Sequence, residues 1–467
     1  MAAPAPLHTL SATEMARLVR EGAVSSAELV DGTLERIRRL DGTLSSFVTV
    51  FDDAARVARR KDGERRRGRP LPPFHGVPIG IKDLNVVRCR VARFGSRGMP
   101  RLPLPVDDLD VRVLRRAGFV IVGKLATSEL GALPVTEPDI HPPTRNPWDP
   151  SRTSGGSSGG SGAAVAAGLL PAAHGSDGAG SIRIPSSFCG LVGLKPSRGR
   201  LPNAFGFPDR TILYTSGPMA RTVSDAAALL DVAAGIDTGR THWAPPPQHA
   251  FAERPRRTRP MRVKVVETSG LVATDPEVLG ALRRTARALE RMGHAVEEGR
   301  LPEGTVEEFL PIWAKLVGGV PLMNWRRAQP LTGWLHARAI ADRRRRLDVD
   351  ALQARLVDRL APAYGTADLW LTPTVAVPPP EVGAWKGFPA EEAFRAAASL
   401  AAFTAPVNLV GLPAISVPAG LTTGGLPIGV QLVGDMFRED DLLAVAWDLE
   451  EALPWRRLAP GYGEGPA

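Results

Sequence analysis

The stretch "TSGGSSGGSGAAVAAG", Thr153 to Gly168, is followed closely by "HGSDGAGSIRIPSSFCG", His174 to Gly190. Ordering glycine is entropically expensive, so repeated glycine marks backbone in unusual dihedrals or backbone that approaches something closely. These runs are too apolar for a solvated linker, because "GSGAAVAAGLLPAAHG" carries no charge and several large aliphatic groups. A phosphate-binding loop needs a lysine next to its last glycine, and none is present here. A dinucleotide fingerprint needs a strand just upstream, whereas "TRNPWDPSRTS" reads as loop. Gly156 to Gly160 satisfies G-x-S-x-G, but a nucleophile elbow has the same requirement for an upstream strand. What remains is a buried loop with hydroxyls and free N–H groups, which suits an oxyanion.

Around these runs, strands alternate with helices, the pattern of an α/β fold with a mostly parallel or mixed sheet. The first 60 residues read as helical, with Ser11 and Glu14 forming a capping box. "GVPIGIKDL" (Gly76 to Leu84) and Phe119 to Val122 read as buried strands, the latter ending in a turn at Gly123 and Lys124. "ADLWLTPT", "PAISVP" and "PIGVQLVG" read as further strands, and "EDDLLAVAWDLEEAL" as a closing helix. The uncharged run from Ala396 to Gly434 is long enough to span a bilayer, but four prolines and Asn408 interrupt it, so buried strands and turns are expected.

Composition narrows the class. The 467 residues carry a formal charge of +9, with arginine clusters at 59–70, 254–262 and 342–348. The clusters lie far apart, two of the three are interrupted or flanked by acids, and all lack interleaved aromatics, so they read as solvated surface and not as a nucleic-acid track. Two cysteines, Cys89 and Cys189, exclude a disulfide framework, and the opening residues lack a signal-peptide pattern, so a cytoplasmic location is expected. Seven lysines stand against 51 arginines. Only lysine readily loses its proton on burial, so each lysine is informative.

Three pieces then fall into one order: Lys82 in "GVPIGIKDL", Ser157 in "GGSSGGS", and Ser181 in "GSDGAGSIRIPSS", the two serines 24 positions apart. With "GKLATSELG" (Gly123 to Gly131), "SGPMARTVSDAA" (Ser216 to Ala227) and "GLPAISVPAG" leading to "GLPIGVQLVG" (Gly411 to Gly434), the chain resembles the amidase signature family from about residue 8 to 455. The resemblance implies one domain over 1–467 with a large, mixed, mostly parallel sheet wrapped by helices on both faces. Within it would lie a helical segment at about 8–60, a catalytic core at about 70–235, a variable substrate-loop region at about 236–365, and closing strands and helix at about 366–455.

It further implies hydrolysis of a carbon–nitrogen amide bond through an acyl-enzyme. Lys82 would be the base, its pKa lowered by the apolar residues before it; Ser157 would be the relay and Ser181 the nucleophile. The N–H groups of Gly178, Ala179, Gly180 and Ser181 would form the oxyanion hole, with Ser158, Asp177 and Arg183 in support. No metal or organic cofactor is implied, and the expected partner is a small-molecule amide, with no nucleic acid and no membrane, for a monomer or homodimer. Two alternatives stay open: an A-type subunit that makes ammonia from glutamine for a tRNA-dependent complex, and an esterase. Ile184 and "SRGR" (Ser197 to Arg200) depart from the tRNA-linked branch.

Several residues carry further expectations. Where the family reads D-T-G-G-S, this chain has Asp177-Gly178-Ala179-Gly180-Ser181, and a positive φ at 179 would strain the alanine. His174 is expected to be a packed histidine, Glu129 to fix a loop, and Cys189 to be a small buried side chain. Specificity is expected in loops near 88–105, 132–142, 202–214 and 305–335, with "FLPIWAKLVGGVPLMNW" lining an apolar acyl pocket.

Overall fold

The computed structural model describes residues 6–201, 213–234, 244–255, 258–302 and 304–463. The loop expected at 202–214 therefore falls almost wholly outside the described residues.

Eleven strands form one sheet: β1 Phe47–Val50, β2 Pro78–Lys82, β3 Val120–Leu125, β4 Ala172–Asp177, β5 Val192–Lys195, β6 Thr215–Ala220, β7 Arg262–Val265, β8 Ala295–Glu298, β9 Leu369–Pro373, β10 Ala414–Leu421 and β11 Pro427–Gly434. Their order is β1-β3-β2-β4-β6-β5-β10-β11-β9-β7-β8. The sheet is mixed, as expected, but its balance differs from the mostly parallel expectation. Parallel pairs occur in β3-β2-β4 and in β9-β7-β8. The pairings from β4 through to β9, and that of β1 with β3, are antiparallel. The reason is visible at β10 and β11, which a short turn closed by Thr422 N–H to Leu426 O joins without a crossover helix.

Alternation along the strands serves two faces. Leu369 and Leu371 enter one core with Ile79, Ile81 and Leu442, whereas Trp370 enters another with Trp313, Leu335 and Phe394. A third cluster packs Val120, Val122 and Ala173 against the helix Gly159–Ala166 and the helix Ser26–Leu44. Covered on both sides, the central strands read as continuous apolar runs.

Some local expectations change. The capping box at Ser11 and Glu14 is present. Residues 123 and 124 continue β3 and do not turn, because glycine also serves strands that a neighbour approaches closely. β1 interrupts the helical opening segment as a four-residue edge strand. The uncharged run holds the helix Ala405–Val410 before its two strands, and no helix among the described residues is long and apolar enough to cross a membrane.

β2 and β4 run parallel, so Lys82 and Asp177 finish at the same edge of the sheet. In open α/β sheets that carboxyl edge is where ligands bind.

Candidate active site

Lys82 ends β2 fully buried. Its Nζ lies 2.7 Å from Ser157 Oγ, 3.0 Å from Ser176 Oγ and 3.2 Å from Ser176 O. Burial lowers its pKa from the ordinary lysine range to about 7, partly offset by the negative charge of Asp177. Near neutral pH, much of this amine is therefore free to accept a proton.

Ser157 follows a cis peptide bond after Gly156, in the irregular chain that leads to the helix Gly159–Ala166. The glycines here make room: a Cβ on Gly160 would lie 2.4 Å from Ala126 N and 2.6 Å from Ser46 O. Thr136 Oγ1 donates to Gly155 O at 2.9 Å and accepts from Gly159 N–H at 3.0 Å, which pins the turn on either side of Ser157. Ser158 joins the two glycine runs. Its hydroxyl donates to Ser176 O at 3.2 Å, and its N–H donates to Ser181 O at 3.3 Å.

The second run is held by Asp177. Its carboxylate accepts from Gly180 N–H at 2.6 Å and from Ile182 N–H at 3.2 Å, and pairs with Arg183 through two contacts of 2.9 Å. Burial alone would raise this carboxyl, but the Arg183 guanidinium and the N–H donors hold it well below the usual carboxylate range. Arg183 is completely buried and also donates to Gln431 Oε1 at 2.5 Å and to Asn408 Oδ1. Asn408 Nδ2 returns to Asp177 O at 3.0 Å. A buried ion pair is tolerable when its remaining donors and acceptors are satisfied in this way.

Gly180 alone in this loop takes a left-handed φ, at 125°. Ala179 is therefore free of the positive φ that would have strained it, since that φ falls one residue later. Thr404 Oγ1 donates to Ala179 O at 2.6 Å. Because the Gly180 N–H is engaged by Asp177, the N–H groups of Gly178, Ala179 and Ser181 are those without a protein partner among the described residues.

Ser181 and Ala179 face a cavity of about 740 Å³. Ala132, Leu133 and Pro134 line it, as does the helix Val306–Gly318 through Phe309 and Trp313, so two of the loop regions expected to matter reach the site. Residues 88–105 do not line it. Within the region about 236–365 expected to carry substrate loops, 265–271 and 296–302 line it as well, and so does Phe394 to Leu409, which the sequence reading missed.

Other candidates fall outside the reacting groups. His174 Nε2 is 3.6 Å from Asp110, and neither ring nitrogen has a hydrogen-bond partner among the described residues, so it is packed as expected. Glu129 accepts from Ser96 Oγ at 2.6 Å and Gln329 N–H at 2.7 Å, bracing two loops. Cys189 is buried, and burial pushes its thiol pKa up. Sequence reasoning missed Ser176, Thr404, Asn408 and Gln431. Asn408 and Gln431 had one usable signal, that of polar residues inside an uncharged run.

A family model described as Amidase matches residues 28–317 and 325–443. The chain belongs to this amidase family. A 6-aminohexanoate-cyclic-dimer hydrolase of Pseudomonas sp. strain NK87 is 37% identical over 491 residues, covering 96% of each chain. A putative amidase of Synechocystis sp. is 36% identical over 453 residues, covering 95% of this chain and 88% of its own. The solved structure of a 6-aminohexanoate cyclic dimer hydrolase superposes with a TM-score of 0.88 at 34% identity, covering 98% of this chain and 99% of that one.

Proposed function

We propose that the protein hydrolyses a carbon–nitrogen amide bond through a Ser181 acyl-enzyme, with Ser157 and Lys82 as the proton path. The observation that carries this reading is the 2.7 Å contact between a buried amine of pKa about 7 and the Ser157 hydroxyl, on the run bonded to Ser181.

An amide is a weak electrophile with a poor leaving group, so three needs must be met together. Ser181 Oγ gives its proton to Ser157 Oγ, which passes its own to neutral Lys82, while the Ser181 oxygen bonds to the carbonyl carbon. The tetrahedral oxyanion is stabilised by the N–H groups of Gly178, Ala179 and Ser181. The Gly180 N–H, spent on Asp177, braces the loop instead. On collapse the carbon–nitrogen bond breaks, and the nitrogen takes a proton from Ser157, which Lys82 replenishes. Water then attacks the ester carbonyl by the same path in reverse, releasing the acid and free Ser181. Asp177, Arg183 and Ser158 shape the loop without touching the reacting atoms.

The test is covalent. A small fluorophosphonate should label Ser181 in the wild-type protein, and Ser181→Ala should lose both labelling and amide turnover. Labelling that persists in Ser181→Ala, or turnover within about tenfold of wild type, would overturn the assignment.

A further inference from the structure

Trp313 sits against the loop that carries Ser181. Its indole N–H donates to Ala132 O at 3.2 Å, and Phe309 stacks on it at 5.7 Å between ring centroids. A Cβ placed on Gly178 would lie 3.4 Å from Trp313 Cζ3 and 3.5 Å from Cη2. The ring thus rests directly on that loop, in the space that a branched side chain at 178 would need. Phe403 and Ala405, which flank Thr404, also line the cavity, and the Thr404 hydroxyl is bonded to Ala179 O.

The cavity also has charged residues in its lining, Glu290 among them. Arg300, Glu298 and Glu297 line it too, but their side chains are 91%, 77% and 61% exposed. Glu267 and Glu308 each accept from two guanidinium nitrogens of an arginine, Arg283 and Arg359 respectively. Ala179, Ile184, Trp313, Phe403 and Ala405, which share the cavity wall with Ser181, carry no charge, and burying a charged acyl group unpaired against them is costly.

We propose that Trp313 is the specificity-determining wall of this cavity, and that the substrates are neutral amides with an apolar acyl group, aromatic or aliphatic of medium length. The inference rests on the serine amidase reading. Each methylene buried against such a wall is worth about fourfold in kcat/KM. Glutamine, whose acyl part carries an ammonium and a carboxylate two methylenes from the scissile carboxamide, would bring both charges against these apolar side chains.

A panel of anilides tests this in the full-length protein, scored as ratios of kcat/KM so that a uniform loss cancels. Wild type should favour hexanoyl over acetyl anilide by about 10²-fold, and pentanoyl over the anionic succinyl anilide by at least as much. Trp313→Ala should lower the hexanoyl-to-acetyl ratio by about tenfold, and Trp313→Phe by less than about threefold, since it keeps an aromatic wall. An unchanged ratio in Trp313→Ala with Ser181 still labelled overturns the role of Trp313. Succinyl anilide cleaved as well as pentanoyl anilide overturns the substrate class, and this arm needs no variant. If wild type neither labels nor cleaves any member, the amidase reading fails, and the inference with it.

Discussion

Lys82 ends β2 and Lys195 ends β5, and both are buried. In both, burial brings the amine to a pKa of about 7 and Asp177 opposes the shift, while at Lys195 repulsion from Arg183 adds to it. By electrostatics alone the two would be equally good bases. Their neighbours differ. Lys82 contacts two serine hydroxyls, whereas Lys195 donates to the carbonyl of Pro196 at 2.9 Å and meets no hydroxyl among the described residues. A lowered pKa makes an amine available, and a proton path makes it a base.

Substituting each lysine in turn separates those two properties. Lys82→Met should lower kcat/KM by about 10⁴-fold, the upper end of what general acid–base groups supply. Lys195→Met, which swaps a costly buried amine for an apolar chain of similar volume, should cost less than about tenfold. Steady-state kinetics on one anilide decides it. Comparable losses in both variants would mean that burial matters and the hydroxyl path does not.

The pH profile sharpens the same contrast. Lys82 must be neutral to act, and its pKa is lowered to about 7, so kcat/KM should rise about tenfold per pH unit below that value and level off above it. Asp177 stays ionised across this range because its carboxyl is held far below it, so the loop keeps its shape. Lys195 titrates in the same window, and only its removal can show which amine is being seen. In Lys195→Met the inflection should stay near pH 7, whereas its disappearance would transfer the role to Lys195.

The same logic explains what the sequence disclosed. Ser157, Ser181 and Asp177 sit in glycine-serine runs whose composition conflicts with linker, phosphate loop and elbow, whereas Lys82 and the roles of all four came from the resemblance to the amidase signature family. Asn408 and Gln431 complete the Asp177 and Arg183 network from more than 200 positions away, and nothing beside them in the chain names that partner. Strand direction was equally hidden, because a run such as "PIGVQLVG" looks the same in a parallel and an antiparallel pair. The loop does contain a positive φ, but nothing in the sequence says that Gly180 and not Ala179 carries it.

That last point gives the smallest effect and a sharp check of the loop. Ala179 lies outside the left-handed region and its carbonyl accepts from Thr404, while Gly180 bears the φ of 125° and leaves only 2.3 Å between a would-be Cβ and Thr404 Oγ1. Removing the Ala179 methyl therefore relieves nothing, and the added freedom favours the unfolded chain. Ala179→Gly should destabilise the protein by about 0.4–1 kcal/mol, read from the denaturant midpoint at unchanged slope. Because the loop's N–H donors belong to the backbone, kcat/KM should change by less than about fivefold. A clear gain in stability would show that the alanine is strained after all, and that the two neighbouring residues do not divide the loop's conformational demands as the geometry indicates.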